Sequence, residues 1–135
     1  MMKHLRIFRD SRGLGAVEFA LVAPALFTLI IGITQLGVLY FANADLRNAV
    51  AAGARYASIF PRPSEDAIKQ RTTQQVARLQ TGKLSAPKVT YAMDANGYQY
   101  AEIEMSYNVP LDFVLFKSPA VTLVERRRVF LQPTS

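Results

Sequence analysis

The chain has no cysteine and no tryptophan, and its one histidine is His4. The absence of cysteine excludes disulfide bonds, thiolate metal sites and a cysteine nucleophile. The sequence also lacks a clustered metal-ligand set, a phosphate-binding glycine loop and a convincing nucleophile–base arrangement. We therefore expect that the protein is not an enzyme, with no catalytic residue, no metal, no cofactor and no small-molecule substrate.

Charge is missing from one long stretch, because no Asp, Glu, Lys, Arg or His occurs between Glu18 and Asp45. A run of about 26 residues forms about 39 Å of helix, which exceeds a hydrocarbon core of about 30 Å. We predict a membrane-spanning helix over about residues 19–44, with the lipid bilayer as its partner. A buried core helix is the alternative, but soluble domains seldom contain so long a charge-free run.

A basic leader, residues 1–13, precedes the charge-free run, and its only acid is Asp10. Basic residues next to an apolar span stay on the cytoplasmic side, so we expect a cytoplasmic leader and an exported remainder. Part of the net charge of +6 lies in this leader. The other basic cluster, residues 126–128, has no aromatic stacking platform around it, so we predict no nucleic-acid partner.

Three fates of this N-terminus are possible. Ala42-Asn43-Ala44 fits a signal-peptidase site, which would release a secreted protein beginning at Asp45. Against it, the apolar run is longer than the 7–15 residues usual for a signal peptide, and the helical pattern continues through the cut. The second possibility is cleavage after Gly13, and the third is an unprocessed anchor that tethers a binding module to the membrane.

Residues 12–58, RGLGAVEFALVAPALFTLIIGITQLGVLYFANADLRNAVAAGARYAS, resemble the N-terminal segment of TadE-like minor pilins (pseudopilins) from tight-adherence (Tad or Flp-type) pilus systems. The resemblance lies in the Ala-Val-Glu-Phe-Ala-Leu-Val-x-Pro core at residues 16–24, in Gly32 and Gly37, and in the small-residue segment 52–57. Gln35 departs from the pattern, because relatives often have an acid in the outer half of this helix.

The resemblance implies a structural or assembly subunit of a type IV pilus-like system that serves cell adhesion or secretion. Its expected partners are a prepilin peptidase and other pilus or pilus-assembly subunits. The peptidase would cut after Gly13, with Leu14, Glu18 and Phe19 completing the processing site. The expected location is the bacterial inner membrane, as a single-pass protein with a periplasmic head that can enter a surface pilus.

Two residues of the helix have individual predicted roles. The resemblance implies that Glu18 pairs with the new α-amino group of Leu14 on an adjacent subunit and so sets the register between subunits. The alternative is that Glu18 lies in the first helical turn, where an acid suits the helix dipole. Pro24 has no amide hydrogen and clashes with the carbonyl of Ala20, so we predict a helix kink there.

The sequence predicts an α+β fold in which the long helix covers residues 14–60 and the exported head covers residues 61–135. An apolar stripe at helical spacing extends the helix beyond the membrane; it consists of Leu46, Val50, Gly53, Ala57 and Phe60. A second helix is predicted from an N-cap at Ser64 through about Gln80, with Gly82 as a stop. Its apolar face would contain Ile68, Thr72, Val76 and Leu79.

A change to alternating apolar and polar residues after Gly82 predicts a small three-stranded antiparallel sheet. A three-residue turn, Ala95-Asn96-Gly97, would place Tyr91 opposite Ala101 and Val89 opposite Ile103, which keeps the apolar faces together. A third strand, about Val121 to Leu131, would return after a loop over Pro110–Pro119. Its Arg126 and Arg128 would then lie across from Glu102 and Glu104 on a solvated face.

Overall fold

The computed structural model describes residues 11–76, 82–113 and 116–132. Its architecture is α+β, with a long N-terminal helix, a second helix and an antiparallel sheet, which confirms the predicted fold class. The main sheet has four strands, so the prediction of three was wrong in this detail. The elements in chain order are α1 Ser11–Ala57, α2 Glu65–Gln75, β1 Lys83–Leu84, β2 Lys88–Met93, β3 Gln99–Val109, β4 Asp112–Phe113, β5 Phe116–Lys117 and β6 Val121–Phe130.

Helix α1 contains 47 residues and is therefore about 70 Å long. By length and composition it could cross a membrane, and no residue in its most apolar window is buried against the rest of the chain. The helix ends at Ala57, where the amide of Ser58 donates to the carbonyl of Arg55 at 3.3 Å. Phe60 therefore lies beyond the helix and is 67% exposed, so its predicted place in the apolar stripe was wrong.

The core of the head forms where the second half of α1 meets α2 and one face of the sheet. Leu46, Val50 and Ala57 are buried on the α1 side, as the apolar stripe predicts for core packing. Opposite them lie the apolar residues of β3, which are Ala101, Ile103, Met105, Tyr107 and Val109. The core of the described head therefore depends on α1, because one side of that core is the helix itself.

Helix α2 begins as predicted, with the Ser64 side chain accepting a hydrogen bond from the amide of Ala67 at 3.3 Å. Ile68 and Thr72 are fully buried, and Val76 is buried at the C-cap position. The helix ends at Gln75. The predicted continuation through Gln80, including Leu79, falls in residues 77–81, outside the described part of the chain.

In the sheet, β3 lies between β6 on one side and the β1 and β2 strands on the other. The predicted hairpin register is confirmed, since Tyr91 lies opposite Ala101 and Val89 opposite Ile103. The turn also forms as predicted, because Gly97 has a φ of 84°, in the left-handed region that glycine adopts without a steric cost. The sheet position of β1, opposite the end of β3, was not predicted.

The arginine pairs on the solvated sheet face are also confirmed. Glu104 lies opposite Arg126 and Glu102 opposite Arg128. The corresponding nitrogen–oxygen distances are 2.7 Å and 3.2 Å. All four side chains remain partly or largely exposed, so each pair is a surface ion pair worth about 0.2–1 kcal/mol.

The connection between β3 and β6 differs from the predicted loop. Within residues 110–119 the chain forms a short antiparallel pair, β4 and β5, in which Asp112 lies opposite Lys117 and Phe113 opposite Phe116. Strand β4 contacts α1. It extends the β3–β6 hairpin along the long helix, toward the segment predicted to cross the membrane.

Candidate processing and assembly surface

The predicted processing residues all lie in the first turns of α1. Gly13, Leu14, Glu18 and Phe19 are exposed, with Leu14 at 65% and Phe19 at 62%. The peptide bond between Gly13 and Leu14 is therefore inside a helix. A peptidase needs an extended backbone at the bond it cuts, so this turn would have to unwind first. Gly13 and Gly15 make unwinding easier, because each glycine weakens a helix by about 1 kcal/mol relative to alanine.

Glu18 lies one helical turn after Leu14, so both residues are on the same side of α1. Within residues 11–76, 82–113 and 116–132, Glu18 forms no ion pair or hydrogen bond through its carboxylate. It is also the last acid before the charge-free run. A carboxylate held next to lipid requires a charged or hydrogen-bonding partner, or else it loses its charge. Its position therefore leaves it available to a group from outside this chain.

Pro24 lies inside α1, and the helix is continuous on both sides of it. The hydroxyl of Thr28 donates to the carbonyl of Pro24 at 2.8 Å, and the hydroxyl of Thr34 donates to Ile30 at 2.9 Å. These bonds satisfy the two threonine hydroxyls within the helix, so neither needs a partner from outside. The kink at Pro24 stays a prediction.

The first half of α1 presents a large unburied apolar surface. Its exposed large apolar residues are Leu14, Val17, Phe19, Leu21, Val22, Leu26, Phe27, Leu29, Ile30, Ile33, Leu36, Val38, Tyr40 and Phe41. Soluble monomers rarely expose apolar patches of more than a few hundred Å². An exposed apolar surface of this size is typical of a segment that contacts lipid or another protein.

The second half of α1 is committed to packing inside the head. A Cβ atom on Gly53 would clash with the hydroxyl of Thr72, so the small residue lets α1 and α2 approach closely. Ala54 and Ala57 are buried beside it, whereas Arg55 faces solvent. The glycine of the small-residue segment 52–57 is therefore explained by packing between the two helices within one chain.

Several charged side chains of the described head lie in ion pairs. In the described ranges, no three His, Cys, Asp or Glu residues are grouped so that they could hold a metal ion. The acids Glu102 and Glu104 are occupied by the ion pairs described above. On the other face, Glu125 pairs with Arg47 at 3.6 Å and so joins β6 to α1. These surface ion pairs each add only a small amount of stability to the head.

Comparison with known proteins gives one family. The family model described as "TadE-like protein" matches residues 13–55. This match confirms the predicted resemblance over that segment, from the exposed start of α1 to the buried stripe that packs on α2. Residues 56–135 lie outside the match. No curated protein and no solved structure matches the chain.

Proposed function

We propose, on the premise that residues 13–55 form a TadE-like segment, that this protein is a minor pilin-like subunit for assembly of a tight-adherence (Flp-type) pilus. Its role is structural, without a catalytic step. The long helix anchors the subunit in the bacterial inner membrane before assembly, with the leader in the cytoplasm and the head in the periplasm. Other pilus subunits then cover the apolar surface of α1 when the subunit enters a filament or its export machine.

The observation that carries this proposal is that α1 is apolar and exposed in its first half and belongs to the core of the head in its second half. Ala42 is 3% exposed and Leu39 packs against the core of the head, although both precede the possible signal-peptidase cut before Asp45. Cleavage there would remove part of the packed helix. Cleavage after Gly13 leaves the whole packed helix in place, so it fits the architecture better.

A prepilin peptidase would release the α-amino group of Leu14, and Glu18 of a neighbouring subunit would bind it. In a poorly solvated bundle of helices, two opposite charges favour the one axial register that pairs them. The exposed position of Glu18 and its lack of a partner within the described residues support this role.

The mass of the native N-terminus tests the processing step most directly. Purified protein that begins at Leu14 supports cleavage after Gly13. A chain that begins at Asp45 indicates a secreted protein, and a chain that begins at Met1 indicates an unprocessed anchor with a tethered binding module. Either of these two results would contradict the proposal.

The Glu18→Gln variant tests the charge pair, with Asp45→Asn as the matched control. Both substitutions remove one carboxylate at an end of the charge-free run, but only Glu18 lies near the new amine. We expect Glu18→Gln to lower the amount of subunit that co-purifies with filaments or assembly complexes and Asp45→Asn to leave it unchanged. Equal incorporation of Glu18→Gln and the unmodified protein would exclude the charge pair.

A further inference from the structure

We propose that the outer edge of β6, Val121–Phe130, is a docking site at which an acidic segment of a partner protein adds as a further strand of the main sheet. Within residues 11–76, 82–113 and 116–132, β6 pairs with β3 and with no other strand. The edge belongs to the head, so this inference does not rest on the processing of α1 or on pilus assembly.

The free backbone groups of this edge are identified by two hydrogen bonds. One step beyond the last register pair of β3 and β6, the amide of Leu131 donates to the carbonyl of Gln99 at 2.9 Å. On the other side of β3, the amide of Ser85 donates to the carbonyl of Ser106 at 2.9 Å. In an antiparallel pair, residues that exchange hydrogen bonds alternate with residues that do not. The odd-numbered residues of β6 therefore bond to β3, and the even-numbered residues direct their backbone groups outward.

Strand β6 also lacks several features that usually protect a sheet edge. It contains no proline, no glycine and no lysine, and its register with β3 continues without a bulge. Each residue of β6 is at least partly exposed, whereas alternate residues of β3 are buried. A long, regular and exposed edge offers a row of backbone donors and acceptors to which an extended segment can bind as a strand.

The charges on the outer sheet face indicate what that strand carries. Lys88, Glu104 and Arg126 lie side by side on β2, β3 and β6, so the sign of the charge alternates across the sheet. Arg126 contacts Glu104 at 2.7 Å, and the next position across the sheet is the open edge. A carboxylate on an added strand would continue the alternation, because opposite charges on neighbouring strands stabilise a sheet.

Arg127 indicates an acidic partner independently. Because side chains alternate along a strand, Arg127 lies on the other face of the sheet from Arg126. It is exposed, and within the described ranges its guanidinium forms no ion pair or hydrogen bond. The acid nearest to it along that face of β6, Glu125, pairs with Arg47 at 3.6 Å. An added strand with an acid opposite Arg127 would give this arginine the partner that it lacks.

A second copy of the chain is a poor occupant of this edge. Because the free backbone groups belong to even-numbered residues, antiparallel pairing of two β6 edges must set even-numbered residues opposite each other. The two registers that overlap most of the strand then place Glu125 opposite Glu125 or Arg126 opposite Arg126. Like charges directly opposite each other destabilise a sheet. The arginines therefore disfavour self-pairing and favour an acidic strand.

A symmetric peptide, acetyl-Thr-Val-Glu-Glu-Glu-Val-Thr-amide, is the probe, because it presents the same side chains in either strand direction. The first control peptide has lysine in place of each glutamate. The second keeps the glutamates, but each of its backbone amides is N-methylated, so it has the same charge and cannot donate to a neighbouring strand. Binding to the detergent-solubilised full chain is followed by NMR, which gives the dissociation constant and the hydrogen-exchange rate of each amide.

In the free protein, we expect the amides of Val124, Arg126 and Arg128 to exchange faster than those of the odd-numbered residues of β6. The acidic peptide should slow these three amides by about tenfold at a concentration of about ten times its dissociation constant. Neither control peptide should slow them. If the three amides are already as protected as their odd-numbered neighbours in the free protein, the edge is covered and the inference is overturned.

The other outcomes also decide the question. No binding of the acidic peptide at about 1 mM, which corresponds to only about 4 kcal/mol, would overturn the docking site. Equal protection by the lysine peptide would overturn the acidic chemistry of the partner. Equally tight binding of the N-methylated peptide would overturn strand addition and indicate a general site for polyanions.

Arg127→Gln tests the charge on the protein, with Arg71→Gln as the matched control. Arg71 is another exposed arginine, but it lies on α2, away from the edge. Loss of one cross-strand charge pair should weaken binding of the acidic peptide by about 1.4- to 5-fold, and Arg71→Gln should leave it unchanged. Circular dichroism checks that both variants keep their fold. Unchanged binding by Arg127→Gln, or equal weakening by both variants, would overturn the role of Arg127.

Discussion

Substitution of Gly53 by alanine is expected to destabilise the head, although alanine is the better helix former. The new Cβ atom would overlap the hydroxyl oxygen of Thr72 and lie 3.2 Å from the Thr72 Cβ. Thr72 has no room to move away, because it is fully buried and its hydroxyl donates to the carbonyl of Ile68 at 2.8 Å.

The magnitude follows from two opposing terms. Replacing glycine by alanine inside a helix adds about 1 kcal/mol of stability. Inserting a methyl group into a well-packed core costs about 1–3 kcal/mol, and the full burial of Thr72 favours the upper part of this range. We therefore expect a net loss of about 1–2 kcal/mol, or a fall in melting temperature of about 4–8 °C for each kcal/mol.

Thermal unfolding of the detergent-solubilised protein, followed by circular dichroism, measures this effect. Gly37→Ala is the matched control, since it adds the same methyl group to the same helix where no atom lies within 4 Å. It should leave the melting temperature unchanged or raise it. A Gly53→Ala variant as stable as the unmodified protein, or more stable, would refute the packing argument.

A double-mutant cycle with Thr72→Ala locates the cause. Removing the Thr72 hydroxyl gives the Cβ at position 53 more room, so the double variant should lose less stability than the sum of the single variants. A coupling of about 0.5–3 kcal/mol is expected for residues in direct contact. If the stability losses of the two single variants simply add, the loss caused by Gly53→Ala does not come from its contact with Thr72.

Three other substitutions test local features of the head by the same unfolding measurement. Ser64→Ala removes the N-cap of α2 and should lower the free energy of unfolding by about 1 kcal/mol. Ser64→Asp restores a cap and should lower it much less. Equal losses of stability in the two variants would exclude the capping role. Gly97→Ala should lower the free energy of unfolding by about 1–2 kcal/mol, because residue 97 has a φ of 84°. Gly97→Asn should lower it less. A Gly97→Ala variant as stable as the unmodified protein would show that the turn can change its conformation. A double-mutant cycle on Glu104 and Arg126 should give a coupling energy of about 0.2–1 kcal/mol, and this energy should decrease in about 1 M salt. A coupling energy that salt does not change would show that the interaction is not electrostatic.

Much of the head could be predicted because its signals are local. The Ser64 cap depends on residues within one turn, and the hairpin turn depends on a glycine in the left-handed region. The register of β2 and β3 followed from alternation alone, since a shift by one residue would expose the apolar face. Glu104 lies opposite Arg126 through a separate register, that of β3 with β6.

Other features could not be predicted because they depend on contacts between distant segments. The β1 strand contains only two residues, Lys83–Leu84, and exists because the far end of β3 offers it a partner. The hairpin formed by Asp112–Lys117 lies in a segment with prolines on both sides, which reads as a loop. Phe60 continued a helical spacing in a segment where the helix had already ended.

For the candidate site, the sequence predicted a leader, processing residues and an apolar helix. The family match supports the TadE-like segment over residues 13–55, and the leader and processing residues stay predictions. The sequence could not predict at which residue α1 passes from an exposed surface into the core of the head. Apolar side chains such as Leu36 and Ala42 read alike in a sequence, although Leu36 is 66% exposed and Ala42 is buried in the head.

The sequence by itself determined that a long apolar helix leads into a small α+β head, because periodicity, caps and turns act over a few neighbouring residues. Only the tertiary structure decided which part of that helix packs inside the head and which part remains for lipid or other subunits. Burial in a protein core and burial in a bilayer select the same apolar residues, and only the folded neighbours of each residue distinguish the two.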